Sequence, residues 1–90
     1  MDDYPLLSEA ISNVLTCLRE NAGLSKRKLA ALSSIDRVYI LQVEQGKFRP
    51  TVNFIFLIAQ SLGISPSSLI ALVEDEILKL QAKADQDRPE

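Results

Sequence analysis

The chain has 90 residues, a formal charge of −2, no histidine, no tryptophan and one cysteine. That length accommodates one domain, and an apolar share of 47% supplies a core, which separates the chain from disordered sequences. Without histidine there is no Ser-His-Asp triad, no imidazole base and no imidazole metal ligand. The lone Cys17 forms neither an internal disulfide nor a Cys-rich zinc site, so an enzyme, a metal and a cofactor are all unexpected.

A chain this short buries only about 60–65% of its unfolded surface, so modest stability, helped by dimerisation, is expected. The start, Met1-Asp2-Asp3-Tyr4-Pro5, is acidic, and no signal peptide is expected. The longest apolar run, Phe54 to Ala59, falls far short of the ~20 residues of a membrane span. A cytoplasmic protein is expected, with neither a membrane nor a small molecule as partner.

Charge is uneven along the chain. Residues 1–24 carry one Arg against four acids, −3. Residues 25–49 carry Lys26, Arg27, Lys28, Arg37, Lys47 and Arg49 against Asp36 and Glu44, +4. Residues 50–90 carry three bases against six acids, −3. The total argues against a nucleic-acid binder; the basic middle argues for one.

No stretch alternates with period two, and apolar residues recur at helical spacing throughout. Leu7, Ile11, Leu15, Leu18 and Ala22 define a first helix, with Ser8 or a neighbour near its start and Gly23 past its end. Cys17 falls within this pattern and reads as a buried or half-buried small hydrophobe. Ser25 caps a short second helix carrying Leu29 and Ala30. Ser33-Ser34-Ile35 breaks it, and Asp36 caps a third, 37–45, with Ile40 and Val43 inward and Gly46 at its end. Pro50 cannot continue a helix; Thr51 caps a fourth, 52–62, closed by Gly63. Ser65-Pro66 opens a fifth with proline in its first turn, lined by Leu69, Val73, Ile77 and Leu80.

The predicted fold class is all-α, a compact five-helix domain over 1–81, with residues 82–90 a flexible charged tail. The helices at 25–32 and 37–45, about four residues apart, have the spacing of a helix-turn-helix. Helices over about 52–81 are assigned to dimerisation.

The residues Gly23-Leu24-Ser25-Lys26, Leu29-Ala30, Ile35-Asp36-Arg37-Val38-Tyr39-Ile40, Val43-Glu44-Gln45-Gly46-Lys47, Pro50-Thr51, Ile58-Ala59 and Leu62-Gly63-Ile64 resemble, in order and without gaps, the lambda-repressor-like (XRE/Cro) helix-turn-helix family. Asp36-Arg37-x-Tyr39-Ile40 and the small size further resemble controller proteins of restriction–modification systems. The resemblance implies a five-helix fold and a transcriptional regulator that binds double-stranded DNA as a homodimer on a palindromic operator. It implies an ion pair between Arg19 and Glu44, and base reading by Arg37, Val38, Leu41 and Gln42. Lys26, Tyr39, Lys47, Arg49 and Asn53 become candidate phosphate contacts. The family has glycine in the turn, at a residue that tends to positive φ, where this chain has Ser33-Ser34; a non-glycine residue is strained there, so either the turn geometry deviates or the strain is tolerated.

Phe54-Ile55-Phe56-Leu57-Ile58 is apolar all round, whereas the family has polar residues at the positions of Phe54 and Leu57. A helix of a small domain cannot bury every side, so a dimer patch of Phe54, Leu57, Ile70, Val73, Ile77 and Leu80 is expected. The alternative is a protein-interaction module, such as an antitoxin or anti-repressor, that uses the same face for a protein partner.

Overall fold

A computed structural model of the chain describes residues 4–86. Five helices follow in order: α1 Leu7–Asn21, α2 Lys26–Ser33, α3 Arg37–Glu44, α4 Val52–Leu62 and α5 Pro66–Gln86. No strand occurs among the described residues.

Four starts follow from local chemistry. The first N–H groups of a helix have no carbonyl partner within it, and a short side-chain oxygen satisfies one. Ser25 accepts from the Lys28 N–H at 3.0 Å, Asp36 from Val38 at 2.7 Å, Thr51 from Phe54 at 3.1 Å and Ser65 from Ser68 at 3.1 Å. Pro66, which has no N–H to satisfy, is the first residue of α5.

The start of α1, beside Ser8 as expected, uses no side-chain cap. Its cap is Leu6, at φ 65° with no side-chain hydrogen bond, and Ser8 lies within the first turn. The Leu6 backbone still serves, its carbonyl accepting from Ala10 at 2.9 Å.

Gly46 closes the C-terminal end of α3. The Gly46 N–H donates to the Val43 carbonyl at 3.0 Å and the Lys47 N–H to the Gln42 carbonyl at 2.9 Å. This crossed pair needs a left-handed residue at position 46, where φ is +73°.

One helix end departs from expectation, that of α5. The helix continues to Gln86, so residues 82–86, assigned to the flexible tail, are helical. Alanine, lysine and glutamine there are good helix formers, which an argument from polarity alone overlooks. The remainder of that tail, 87–90, lies outside the described residues.

Helix α1 packs on α3 and α5, α2 packs on α3 and α4, and α4 packs on α5. Leu29, Ile40, Val43 and Ile58, from α2, α3 and α4, are fully enclosed. Ala10, Ile11, Val14 and Leu15 of α1 and Leu69, Val73 and Ile77 of α5 complete the core. Cys17 lies on the outer side of α1 and is exposed, contrary to its reading as a buried or half-buried small hydrophobe; its neighbours Val14 and Leu18 take the inward positions. Helices α4 and α5 meet at a bend of 104°, and no single helix among the described residues is long and apolar enough to cross a membrane.

Candidate nucleic-acid interface

Helix α3 shows two faces. At about 100° per residue, positions 37, 38, 41 and 42 fall on one side and 39, 40, 43 and 44 on the other. Ile40 and Val43 are fully buried. Arg37 and Val38 are exposed, and Leu41 and Gln42 half-buried. The structure therefore brings the four expected base-reading residues onto the side of α3 turned from the core.

The turn before α3 is built around serine. Ser34 adopts φ 60°, the left-handed conformation that favours glycine. Ser33 is buried; its Oγ donates to the Leu29 carbonyl at 2.8 Å and accepts from the Ile35 N–H at 3.3 Å. One hydroxyl thus satisfies a carbonyl at the end of α2 and an N–H of the turn.

The far end of α3 is held by α1. Arg19 Nε donates to Glu44 Oε2 at 2.7 Å, its Nη2 to Oε1 at 3.0 Å and its Nη1 to the Leu24 carbonyl at 2.7 Å. Thr16 Oγ1 adds a bond to Glu44 Oε1 at 3.2 Å, and Ser12 Oγ donates to the Glu44 carbonyl. The two charged side chains are only 10% and 5% exposed. The Glu44 hydrogen bonds, acting against the cost of burial, raise the Arg19 guanidinium above its ordinary value. Sequence reasoning overlooked Ser12 and Thr16. Their signal is spacing: 12, 16 and 19 make a polar stripe on α1 beside its apolar one.

The pair also changes the electrostatics. With Glu44 neutralised internally by Arg19, the charges left in residues 25–49 are six cations against Asp36. Arg27, Lys28, Arg37, Lys47 and Arg49 are exposed and Lys26 is half-buried. Asn53 is exposed in the first turn of α4. Tyr39 is half-buried, stacked on Phe54 with centroids 5.0 Å apart and packed against Phe48 at 6.2 Å. Sequence reasoning also overlooked Phe48, which is 50% exposed in the loop after α3.

Burial divides the residues expected to form a dimer patch. Phe54, Val73 and Ile77 lie in the core of the chain, Phe54 at 4% exposure. Helix α4 is covered by α2 on one side and by α5 on another, and α5 is covered by α1 as well, so the inward residues of both helices are taken up within the chain. Leu57 and Leu80 are half-buried, and Ile70 is 51% exposed. Beside them lies an open apolar groove between α4 and α5, lined by Val52, Ile55, Phe56, Pro66, Ser67 and Ile70. Val52 and Phe56 are 73% and 56% exposed.

Comparison with known proteins places this architecture. The HTH_3 helix-turn-helix family model matches residues 18–69. The HTH-type transcriptional regulator y4dJ of Sinorhizobium fredii is 31% identical over 58 residues, covering 64% of this chain and 75% of its own. The restriction–modification controller protein C.Esp1396I superposes with a TM-score of 0.75 at 31% identity, over 86% of this chain and 99% of its own. That controller has also been seen as a tetramer in complex with its natural 35 base-pair operator. The clp gene regulator ClgR of Corynebacterium glutamicum shares the fold, with a TM-score of 0.84 at 24% identity, over 93% of this chain and 89% of its own. The chain belongs to the HTH_3 helix-turn-helix family, whose lambda-repressor-like members here are transcriptional regulators and not enzymes.

Proposed function

We propose that this protein is a sequence-specific DNA-binding transcriptional regulator that acts as a homodimer on a palindromic operator. The observation that carries the reading is α3 itself. Its core face is sealed, its last turn is clamped to α1 by Arg19 and Glu44, and its outer face carries Arg37, Val38, Leu41 and Gln42. A helix so braced suits insertion into a major groove.

Arg37 then donates twice to guanine O6 and N7, Gln42 pairs with adenine, and Val38 and Leu41 pack against thymine methyls. Lys26, Lys47, Arg49 and Asn53 contact phosphates and fix the register, and Tyr39 offers its hydroxyl at the margin. The similarity to a controller seen on its operator supports the same partner here.

The second copy occupies the groove of Val52, Phe56 and Ile70, with Leu57 at its edge. A two-fold dimer sets two α3 helices about 34 Å apart, in successive major grooves, and doubles the basic middle from +4 to +8. In-vitro selection of bound duplexes tests this directly. The expected product is a palindrome with half-sites one helical turn or a multiple apart. Unenriched sequence would overturn the specific-regulator reading.

The same groove supports a second reading, a module that binds another protein through α4 and α5. Light scattering after size exclusion separates the two: a dimer with DNA affinity supports the first, and a monomer without it supports the second.

A further inference from the structure

Phe48 is the one large apolar side chain in the loop joining α3 to α4, and it is held rather than loose. Its ring packs on Tyr39, and Tyr39 stacks on the core residue Phe54, so three rings lead from the core to the surface. The loop is tied at both ends, by the Lys47 N–H to the Gln42 carbonyl and by Thr51 capping α4. A ring restrained in this way loses little freedom on making a new contact.

Phe48 also lines an open hollow with Leu7, Ser8, Lys47, Arg49 and Pro50. Two cations stand there beside the apolar walls of Phe48, Leu7 and Pro50. A bare anion gains nothing from such walls, and an apolar peptide gains nothing from such cations. A sugar–phosphate unit of duplex DNA matches both, with an anionic phosphate joined to the apolar C–H face of deoxyribose. We propose that Phe48 is a DNA contact, its ring packed on a backbone deoxyribose whose phosphate is held by Lys47 and Arg49. This rests on the DNA-binding reading above and adds an apolar anchor to it.

A sugar contact carries no charge and reads no base. Phe48→Ala is therefore expected to weaken binding about five- to ten-fold, the scale of one partly buried aromatic face, on a selected site and a random duplex alike. The slope of log affinity against log salt stays unchanged, whereas Lys47→Ala flattens it by about one unit. Phe48→Leu retains binding within about three-fold because it keeps most of the apolar area. Benzoylphenylalanine placed at position 48 crosslinks to a DNA strand on irradiation, a readout that a purely structural role for the ring does not produce. Wild-type affinity in Phe48→Ala, or absence of the crosslink when the protein is saturated with DNA, overturns the proposal. A loss confined to sites with thymine at one position replaces the sugar with a base methyl as the contact. Failure of the wild-type chain to bind either duplex overturns the DNA-binding reading itself.

Discussion

Glu44 is the residue on which the placement of α3 turns. It takes hydrogen bonds from Ser12, Thr16 and Arg19 of α1 while sitting in the last turn of α3. Removing one member of a buried pair strands the other charge, so Glu44→Gln is expected to cost about 3–5 kcal/mol in urea unfolding. Replacing both Arg19 and Glu44 by methionine is expected to cost clearly less than either single change, because no charge is left uncompensated. A double variant as unstable as the singles would show that the shape of the pair, not its charge, holds the helices. The raised value of Arg19 sets the pH dependence. A cation stabilised in the fold contributes fully below its unfolded-state value and loses that contribution only as pH climbs through the folded one. Stability from Arg19 is therefore constant across the neutral range and lost only in strong alkali.

Ser34 poses the opposite problem at the same scale. Its left-handed backbone costs a non-glycine residue about 1–2 kcal/mol, and glycine gives back about 0.5–1 kcal/mol through the entropy of the unfolded chain. Ser34→Gly is therefore expected to stabilise the protein by roughly 0.5 kcal/mol in thermal or urea unfolding. A loss of stability would mean that the Ser34 side chain contributes something its backbone strain conceals.

At the scale of the element, α3 separates two kinds of contact along its length. Arg37, at its start, opposes the helix dipole, which is better explained by a ligand than by helix stability. Arg37→Ala is expected to weaken the selected site by about 1–3 kcal/mol and to relax preference at one base pair. Lys47, three residues beyond the end of α3, carries no sequence information in this reading. Lys47→Ala is expected to weaken all duplexes alike. Binding titrations on the selected site and on single-base variants check both, and an unchanged preference profile in Arg37→Ala would remove Arg37 from the base-reading set.

The described residues together span 48 × 28 × 21 Å. Their long dimension accommodates the 21-residue α5, which at 1.5 Å per residue is about 31 Å long. Phe56→Glu or Ile70→Glu, placing a charge in the α4–α5 groove, is expected to shift the protein to monomer and to weaken operator binding together. Light scattering at matched concentration reads the mass. A persisting dimer would move the interface to another face.

The number of helices, their order and most of their ends were legible before any coordinates. Ser25, Asp36, Thr51, Ser65-Pro66 and the three glycines act within three or four residues of themselves, so no distant part of the chain alters their effect. The turn was legible only in part: serine standing where the family has glycine pointed either to a shifted geometry or to tolerated strain, and Ser34 at φ 60° takes the second course. The end of α5 was not legible, because the polar composition of residues 82–86 hid their helical propensity. Which apolar residues reach water was not legible either. Phe54 and Phe56 have the same chemistry and differ by two positions, about 200° around α4. Only the placement of α2 and α5 against α4 buries the first and leaves the second exposed. Likewise, Ser12 and Thr16 become partners of Glu44 only because α1 lies along the end of α3, and Phe48 becomes a braced surface ring only because Tyr39 and Phe54 stack beneath it. The sequence by itself determined the helices, the basic segment and the family. The tertiary structure decided the faces, because burial depends on neighbours distant in the chain.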